Sequence, residues 1–117
     1  MKDLEKQQVQ EMYARHHYRC FVCGAEATQR AHIISNSRKN KRIYGQAVID
    51  CPLNWLPACS LDCNALIDAS NNLALKEMIS FIVTTEVIDD WHYSRIARDV
   101  RKNIKRKKEK LYRIDNI

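Results

Sequence analysis

The first segment of the chain has the apolar spacing of a helix. Its apolar side chains recur at i, i+3 and i+4, which is one helical face. They are Val9, Met12 and Tyr13. We expect a helix over residues 3–18, followed by a knuckle around residues 20–24, where this period is lost. The next apolar stretch, from Gln29 to Ile34, contains β-branched residues and favours a short strand that carries His32.

The middle of the chain alternates between polar and short structured segments. Residues 35–44 are polar and basic, so we expect an exposed loop, with or without a helical turn, that ends at Gly45. Pro52 and Pro57 bracket a segment that suits an edge strand, because proline lacks the N–H that a central strand would use. Ser60 can cap a helix that runs from residue 61 to about residue 68.

The final third carries two apolar stripes with helical spacing. The first consists of Leu75, Met78, Ile79, Ile82 and Val83, and the second, after a break at Asp89 and Asp90, of Trp91, Ile96, Val100 and Ile104. The first stripe fits either packing onto the middle of the chain or a homodimer face formed by C-terminal helices. No repeat or linker is visible, so we expect a single domain over residues 1–117, with a helix in 1–19, a core in 20–68 and a basic helical extension in 69–117.

Composition narrows the class of protein. The chain has 117 residues, the usual size of one compact domain, and only two Gly and two Pro, too few for the turns of a β-sandwich or barrel. Lys and Arg number 20 against 14 Asp and Glu, and this excess of +6 favours a nucleic-acid partner. No apolar run reaches the length of a membrane span and no secretory signal is visible, so we expect no membrane partner and a reducing, cytoplasmic setting.

Two closely spaced cysteine pairs predict a structural zinc site. The pairs are Cys20-x2-Cys23 and Cys59-x3-Cys63, and disulfides are rare in a reducing compartment. Each pair can supply two thiolates to one tetrahedral ion, and four thiolates close a structural site. The alternative is four unrelated buried cysteines. Cys51 has no partner and is interpreted as an ordinary buried thiol.

The order of these residues resembles the HNH, or His-Me finger, endonuclease family. That family's pattern is Cys-x-x-Cys, Asp-His-Ile, Asn-Leu-x-x-Leu-Cys and Cys-His. The corresponding strings here are Cys20-x2-Cys23, Ala31-His32-Ile33-Ile34, Asn54-Trp55-Leu56-Pro57-Ala58-Cys59 and Cys63-Asn64. The last is similar to the Cys-Asn version in phage endonuclease VII. The resemblance covers about residues 20–68 and implies a small α+β fold. Its core would be a zinc-stapled ββα-metal, treble-clef-like unit, with an N-terminal helix and C-terminal helices.

The resemblance also implies an activity, the metal-dependent hydrolysis of phosphodiester bonds in double-stranded or branched DNA. His32 would be the general base that takes a proton from water. Asn54 would orient His32 or its loop, and Asn64 would hold a catalytic magnesium or manganese ion. Asp68 stands at i+4 from Asn64 on the predicted helix, so we expect it as a second ligand of that ion. An ordinary solvated carboxylate is the alternative for Asp68.

Ala31 departs from the family pattern. Many members have a metal-binding Asp, or in some toxin nucleases His, directly before the base, and alanine cannot bind a metal. A second interpretation therefore stays open, in which the chain is a degenerate HNH-like zinc module that binds nucleic acid without cutting it. A third is a zinc-stapled protein-interaction domain, in which the basic residues would be dispensable.

Basic residues near the expected site supply charge for a phosphate backbone. Four follow the predicted strand, Arg38, Lys39, Lys41 and Arg42. Arg30 adds a fifth, and together they predict salt-sensitive, sequence-tolerant affinity for DNA. The tail over residues 98–113 holds nine basic and two acidic residues and fits either a DNA-binding helix or a solvated surface.

The remaining histidines are interpreted as structural. His16 and His17 stand at the end of the first predicted helix, where they would be dipole partners rather than metal ligands. His92, between Trp91 and Tyr93, is interpreted as core or surface filler.

Overall fold

The structure of the protein is a computed structural model that describes the backbone of residues 2–115 and the side chains of residues 3–111. This part of the chain contains six α-helices, one 3-10 helix and one two-stranded sheet, and it is a small α+β protein. The elements in order are α1 (Lys2–Arg15), β1 (Gln29–His32), α2 (Arg38–Tyr44), α3 (Gln46–Ile49), the 3-10 helix (Pro52–Asn54), β2 (Trp55–Ala58), α4 (Leu61–Ile67), α5 (Leu73–Thr85) and α6 (Asp90–Asp115).

Helix α1 ends earlier than its apolar period predicts. His17 and Tyr18 adopt the left-handed conformation, with φ of 56° and 59°, and the Tyr18 N–H donates to the Tyr13 carbonyl at 2.8 Å. A left-handed residue with a side chain costs about 1–2 kcal/mol, so two in succession mark a firm stop. The prediction of a helix to residue 18 was wrong by three residues. The chain turns at His17 and Tyr18 without the Gly or Pro that usually marks a helix end in a sequence.

Strands β1 and β2 form an antiparallel hairpin-like pair. His32 lies opposite Trp55, and Gln29 lies opposite Ala58. The sequence predicted a strand that carries His32, and β1 ends on that residue. The strand does not extend to Ile34, because the Ile34 backbone binds the Asn54 side chain instead of a neighbouring strand. The extended segment predicted between the two prolines is confirmed only from Trp55 onwards, because Pro52–Asn54 form the 3-10 helix and β2 continues past Pro57 to Ala58.

Helix α2 lies where the sequence predicts an exposed loop. The Ser37 hydroxyl accepts from the Asn40 N–H at 3.1 Å and caps the helix, and Gly45, with φ of 92°, ends it. No residue of α2 is buried. The helix therefore has no apolar stripe, which is the signal that would have predicted it.

Helices α5 and α6 follow the two apolar stripes with one exception. Leu75, Ile79 and Ile82 are buried, so the first stripe packs into the chain's own core rather than standing free as a dimer face. Helix α6 begins at the predicted break. Placing Trp91 on the second stripe was wrong, because its side chain is 61% exposed and His92 takes the buried position in the first turn.

One apolar core holds these elements together. It runs from the knuckle to α6 and includes Ile33 after β1, Ile49 of α3, Ile67 of α4, Ile79 of α5 and Val100 of α6, all essentially buried. Each such side chain contributes about 1.5–3 kcal/mol by leaving water. The core therefore fixes the hairpin and α4, which carry the candidate site, against the C-terminal helices.

Candidate functional site

Four cysteines meet at one end of the hairpin. The sulfur atoms of Cys20, Cys23, Cys59 and Cys63 all lie within 4.8 Å of one another. Two of the separations are 3.4 Å, between Cys23 and Cys59, and 3.7 Å, between Cys59 and Cys63. Thiolates about 2.3 Å from a tetrahedral zinc ion stand about 3.8 Å apart, so the set is close to the size that zinc requires.

Local sequence brings the two pairs into this arrangement. The Gly24 N–H donates to the Cys20 carbonyl at 3.0 Å, and Gly24 has φ of 79°, a conformation that glycine adopts without strain. In the second pair, the Ser60 hydroxyl accepts from the Cys63 N–H at 3.2 Å and caps α4. Cys59 therefore lies just before the helix and Cys63 in its first turn.

The thiols show opposite pKa shifts. Burial raises the pKa of Cys20, but backbone N–H groups, chiefly those of Cys23 and Val22, outweigh burial and lower it to about 7. Burial together with the neighbouring thiols raises the pKa of Cys63 to about 12. Four sulfurs so close together cannot all ionise without a cation, so the set is positioned to hold a metal ion and is consistent with structural zinc. Cys51 lies outside this set, half-buried against the core, and burial raises its pKa.

His32 lies at the other end of the hairpin, beside Trp55. The two rings meet edge to face, with centroids 6.5 Å apart. Arg30 shares the strand face with His32, because side chains two apart point the same way. Its guanidinium stands 4.5 Å from the Trp55 ring centroid and 3.1 Å from the Glu5 carboxylate of α1. Glu5, Arg30, Trp55 and His32 therefore form one cluster, called the His32 cluster below, in which Trp55 is buried and the other three side chains are at least partly exposed.

The His32 cluster favours a neutral imidazole. Burial is the main reason that the pKa of His32 is lowered, and the positive charge of Arg30 adds to the effect. Asp50 and Glu5 oppose it, and Lys41 of α2 acts in the same direction as Arg30. A half-buried, neutral imidazole can accept a proton near neutral pH, which is what a general base needs.

Asn54, the last residue of the 3-10 helix before β2, is fully buried and binds the backbone that follows His32. Its Oδ1 accepts from the Ile34 N–H at 2.7 Å, and its Nδ2 donates to the carbonyls of Ile34 and Ile49 at 3.0 and 3.2 Å. The Asn54 carbonyl also accepts from the Ile33 N–H. The Asn54 side chain thus fixes the backbone of Ile34, and its main-chain carbonyl fixes that of Ile33. Asn54 therefore holds the two residues after His32 through their backbone and makes no hydrogen bond to the imidazole.

Asn64 and Asp68 have separate partners. The Asn64 Nδ2 on α4 donates to the Gln29 Oε1 at 3.1 Å, which ties α4 to the start of β1. Asp68 is the C-terminal cap of α4, and its carboxylate accepts from the Ser70 N–H at 2.7 Å. Ala31 is fully buried and offers no oxygen. Among the residues with described side chains, the four cysteines are the only set of three or more His, Cys, Asp or Glu placed to hold an ion.

The basic residues after the strand all lie on α2. Arg38, Lys39 and Arg42 are exposed and Lys41 is half-buried. Within residues 3–111, none of the four forms an ion pair with a carboxylate. Lys41 is near enough to affect the pKa of His32. Helix α2 therefore places free positive charge next to the His32 cluster, whereas Arg30 is already paired with Glu5.

The other histidines lie away from the His32 cluster. His16 packs against Phe21 edge to face, and burial with the nearby positive charges of Arg15 and Arg101 lowers its pKa to about 4. A neutral ring at neutral pH is not a cationic partner of the α1 dipole, so that interpretation was wrong for His16. His92 is buried, and its Nδ1 lies 2.8 Å from the Asp89 carboxylate.

The sequence did not identify four residues that contact the candidate site residues or the end of α4. Glu5, Trp55 and Gln29 contact Arg30, His32 and Asn64 respectively, and Lys107 of α6 donates to the Ala65, Leu66 and Asp68 carbonyls at the end of α4. The alternation of β1 predicts that Arg30 and His32 share a face. Glu5 and Lys107 come from segments distant in sequence, and no local pattern identifies them.

Comparison of the chain with family models, with curated proteins and with solved structures finds no match. Among the described residues, no helix combines the length and the apolar character needed to cross a membrane.

Proposed function

We propose that the protein is a zinc-stabilised, HNH-like endonuclease that hydrolyses phosphodiester bonds in DNA, with His32 as its general base. One observation carries the proposal: β1 ends on a half-buried His32, and Asn54 fixes the next two residues, Ile33 through its main-chain carbonyl and Ile34 through its buried side-chain amide. A hairpin, a following helix and a set of four cysteines resemble the treble-clef-like ββα-metal core of that family.

The chemistry assigned to His32 is removal of a proton from water. A lowered pKa keeps the imidazole neutral, so one ring nitrogen can accept that proton as the water oxygen attacks phosphorus. Such a base contributes typically about 100- to 10,000-fold to the rate. Asn54 is a positioning residue, because it acts through the backbone after β1.

The proposal includes a divalent cation, magnesium or manganese, which would stabilise the charge that develops on the phosphate and leaving oxygen. Asn64 and Asp68 are its expected ligands in this chain. Magnesium is commonly held by one or two protein oxygens with substrate phosphates and water completing its shell, so a sparse set of ligands fits that ion better than calcium. The Asn64 bond to Gln29 uses Nδ2 and the Asp68 bond to Ser70 uses Oδ1, so these bonds leave Asn64 Oδ1 and Asp68 Oδ2 available as ligands.

DNA would approach the His32 cluster along α2. Arg38, Lys39 and Arg42 are exposed and, among the described residues, have no carboxylate partner, so they are free to bind phosphates. Contacts of this kind release counterions and give affinity that depends strongly on salt and weakly on sequence. Arg30 can join them when phosphate replaces Glu5.

Ala31 favours a second candidate function, a zinc module that binds nucleic acid without cutting it. The Ala31 side chain is fully buried, so no oxygen ligand stands directly before His32. A hard-cation site that lacks this ligand loses most of its protein charge. This candidate keeps the cysteine set and the basic surface and assigns His32 no proton transfer.

One experiment separates the two candidates. Purified protein is incubated with supercoiled plasmid, branched DNA and single-stranded DNA, each with magnesium, manganese or EDTA. The matched variants are His32→Asn and His17→Asn, since both remove one imidazole and His17 is exposed in the turn after α1. Cleavage that needs the metal and is lost only in His32→Asn supports the endonuclease. Salt-sensitive binding without any His32-dependent cleavage supports the module and overturns the enzyme.

A further inference from the structure

Helix α6 carries an exposed basic stripe next to the cysteine knuckle. Arg101, Lys105 and Lys108, at i, i+4 and i+7, line a shallow groove together with Phe21 and Val22. They are called the knuckle stripe below. The groove also contains Ile104 as part of its floor and Glu109 as its one carboxylate. The groove therefore has three positively charged side chains spaced along about 10 Å of the helix and a single negatively charged one.

The knuckle stripe is not neutralised within the described part of the chain. None of its three residues forms an ion pair with a carboxylate there. Like charges at i, i+3 and i, i+4 repel each other on a helix surface, and this stripe contains two such pairs. Arg101 is also fixed, because its guanidinium stands 4.1 Å from the Phe21 ring centroid. The arrangement keeps like charges close together and is suited to a linear polyanion.

We infer that the knuckle stripe binds the phosphate backbone of a nucleic acid, as a contact surface separate from α2 and the His32 cluster. The knuckle meets the hairpin through the Phe21 N–H, which donates to the Pro57 carbonyl in the part of β2 beyond Trp55. Pro57 lies opposite Arg30 in the hairpin, but the knuckle stripe itself belongs to α6, so the stripe and the His32 cluster are formed by different elements. The inference takes its partner class from the proposed function, but it is tested by binding and not by cleavage.

An anionic membrane is the other common partner of a basic helix. Membrane-surface helices insert their apolar face among the lipids. In α6 that face is already used, because Ile96, Val100 and Ile104 are buried in the core. At the knuckle stripe the exposed side chains of α6 therefore offer a lipid surface charge without an apolar face to insert, and charge is sufficient to bind a phosphate backbone.

The opposite flank of α6 supplies a matched control. Lys102 lines a groove with Leu75 of α5, and Lys110 lines one with Leu66 of α4, so both face away from the knuckle. Lys105→Gln/Lys108→Gln and Lys102→Gln/Lys110→Gln remove the same charge from the same helix. Each pair is made in the His32→Asn background, and equal zinc content and circular dichroism verify that the fold is kept.

The measurement is the salt dependence of binding to a 20-base-pair DNA duplex. Each phosphate contact contributes about 0.9 to the slope of log affinity against log salt, so Lys105→Gln/Lys108→Gln should lower the slope by about 1.8 while the control pair leaves it unchanged. An equal loss in both pairs, or no loss in either, overturns the inference. Vesicles rich in phosphatidylserine are tested in parallel, and stripe-dependent binding to vesicles but not to DNA also overturns it. Absence of cleavage by the wild-type chain leaves this result unaffected and counts only against the endonuclease.

Discussion

Asn54 closes both backbone hydrogen bonds of Ile34, accepting from its N–H at 2.7 Å and donating to its carbonyl at 3.0 Å. Both residues are fully buried, so water cannot replace either bond. This contact holds the chain in place immediately after His32. It connects the packing of the core to the geometry that the proposed reaction requires.

Replacing Asn54 should therefore destabilise the fold as well as impair cleavage. Asn54→Ala leaves the buried N–H and carbonyl of Ile34 without their partners, and such groups cost about 1–3 kcal/mol each, so we expect a loss of about 2–5 kcal/mol. Urea denaturation measures this loss. Asn36→Ala, at an exposed position two residues after Ile34, should change the free energy of unfolding by less than about 0.5 kcal/mol. Equal stability of the two variants would contradict the role assigned to Asn54.

The cysteine set should bind one zinc ion per chain and depend on it for stability. Structural zinc contributes directly to folding, so chelation or Cys63→Ser should lower the free energy of unfolding by several kcal/mol. Cys51→Ser is the matched control, because Cys51 lies outside the set. Metal content by mass spectrometry and thermal unfolding provide the two readouts. A wild-type chain that unfolds at the same temperature with and without zinc would refute the assignment.

Much of this centre could be predicted because its causes are local. Two short cysteine spacings and a serine cap are enough to place four sulfurs near one point, and a β-branched run is enough to place His32 on a strand. The sequence also indicates which face of α6 is buried. His92, Ile96 and Val100 are spaced four residues apart and share one face, whereas Trp91 is five residues before Ile96 and points elsewhere. Exposed Trp91 was assigned to the core from its hydrophobicity rather than from its angle around the helix.

The parts that could not be predicted depend on contacts between distant segments. Glu5 reaches Arg30 only because α1 packs against β2. Lys107 donates to the Ala65 and Leu66 carbonyls at the end of α4. Nothing in the sequence near α4 indicates which distant side chain binds these carbonyls. Helix α2 lacks an apolar face, so its serine cap was the one signal of its presence.

Glu5 should compete with DNA for Arg30. Glu5→Gln removes the carboxylate 3.1 Å from the guanidinium and frees a cation for a phosphate. Exposed ion pairs contribute about 0–1 kcal/mol, so affinity for duplex DNA should rise by up to about fivefold, with a salt slope steeper by about 0.9. Asp3→Asn removes the same charge from the same turn of α1 and should leave the slope unchanged. An equal rise in both variants would show that only net charge matters.

The pH dependence of cleavage under single-turnover conditions tests the central claim, that His32 is the general base, most directly. Because the pKa of His32 is lowered, the rate should fall only as pH drops below about 6.5, when the imidazole takes up a proton. Arg30 lowers this pKa and Asp50 raises it, so Arg30→Gln should move the acid limb to higher pH and Asp50→Asn to lower pH. The account predicts these opposite shifts and a loss of about 100- to 10,000-fold in His32→Asn. Metal-dependent cleavage that persists in His32→Asn, with an unchanged pH profile, would contradict it.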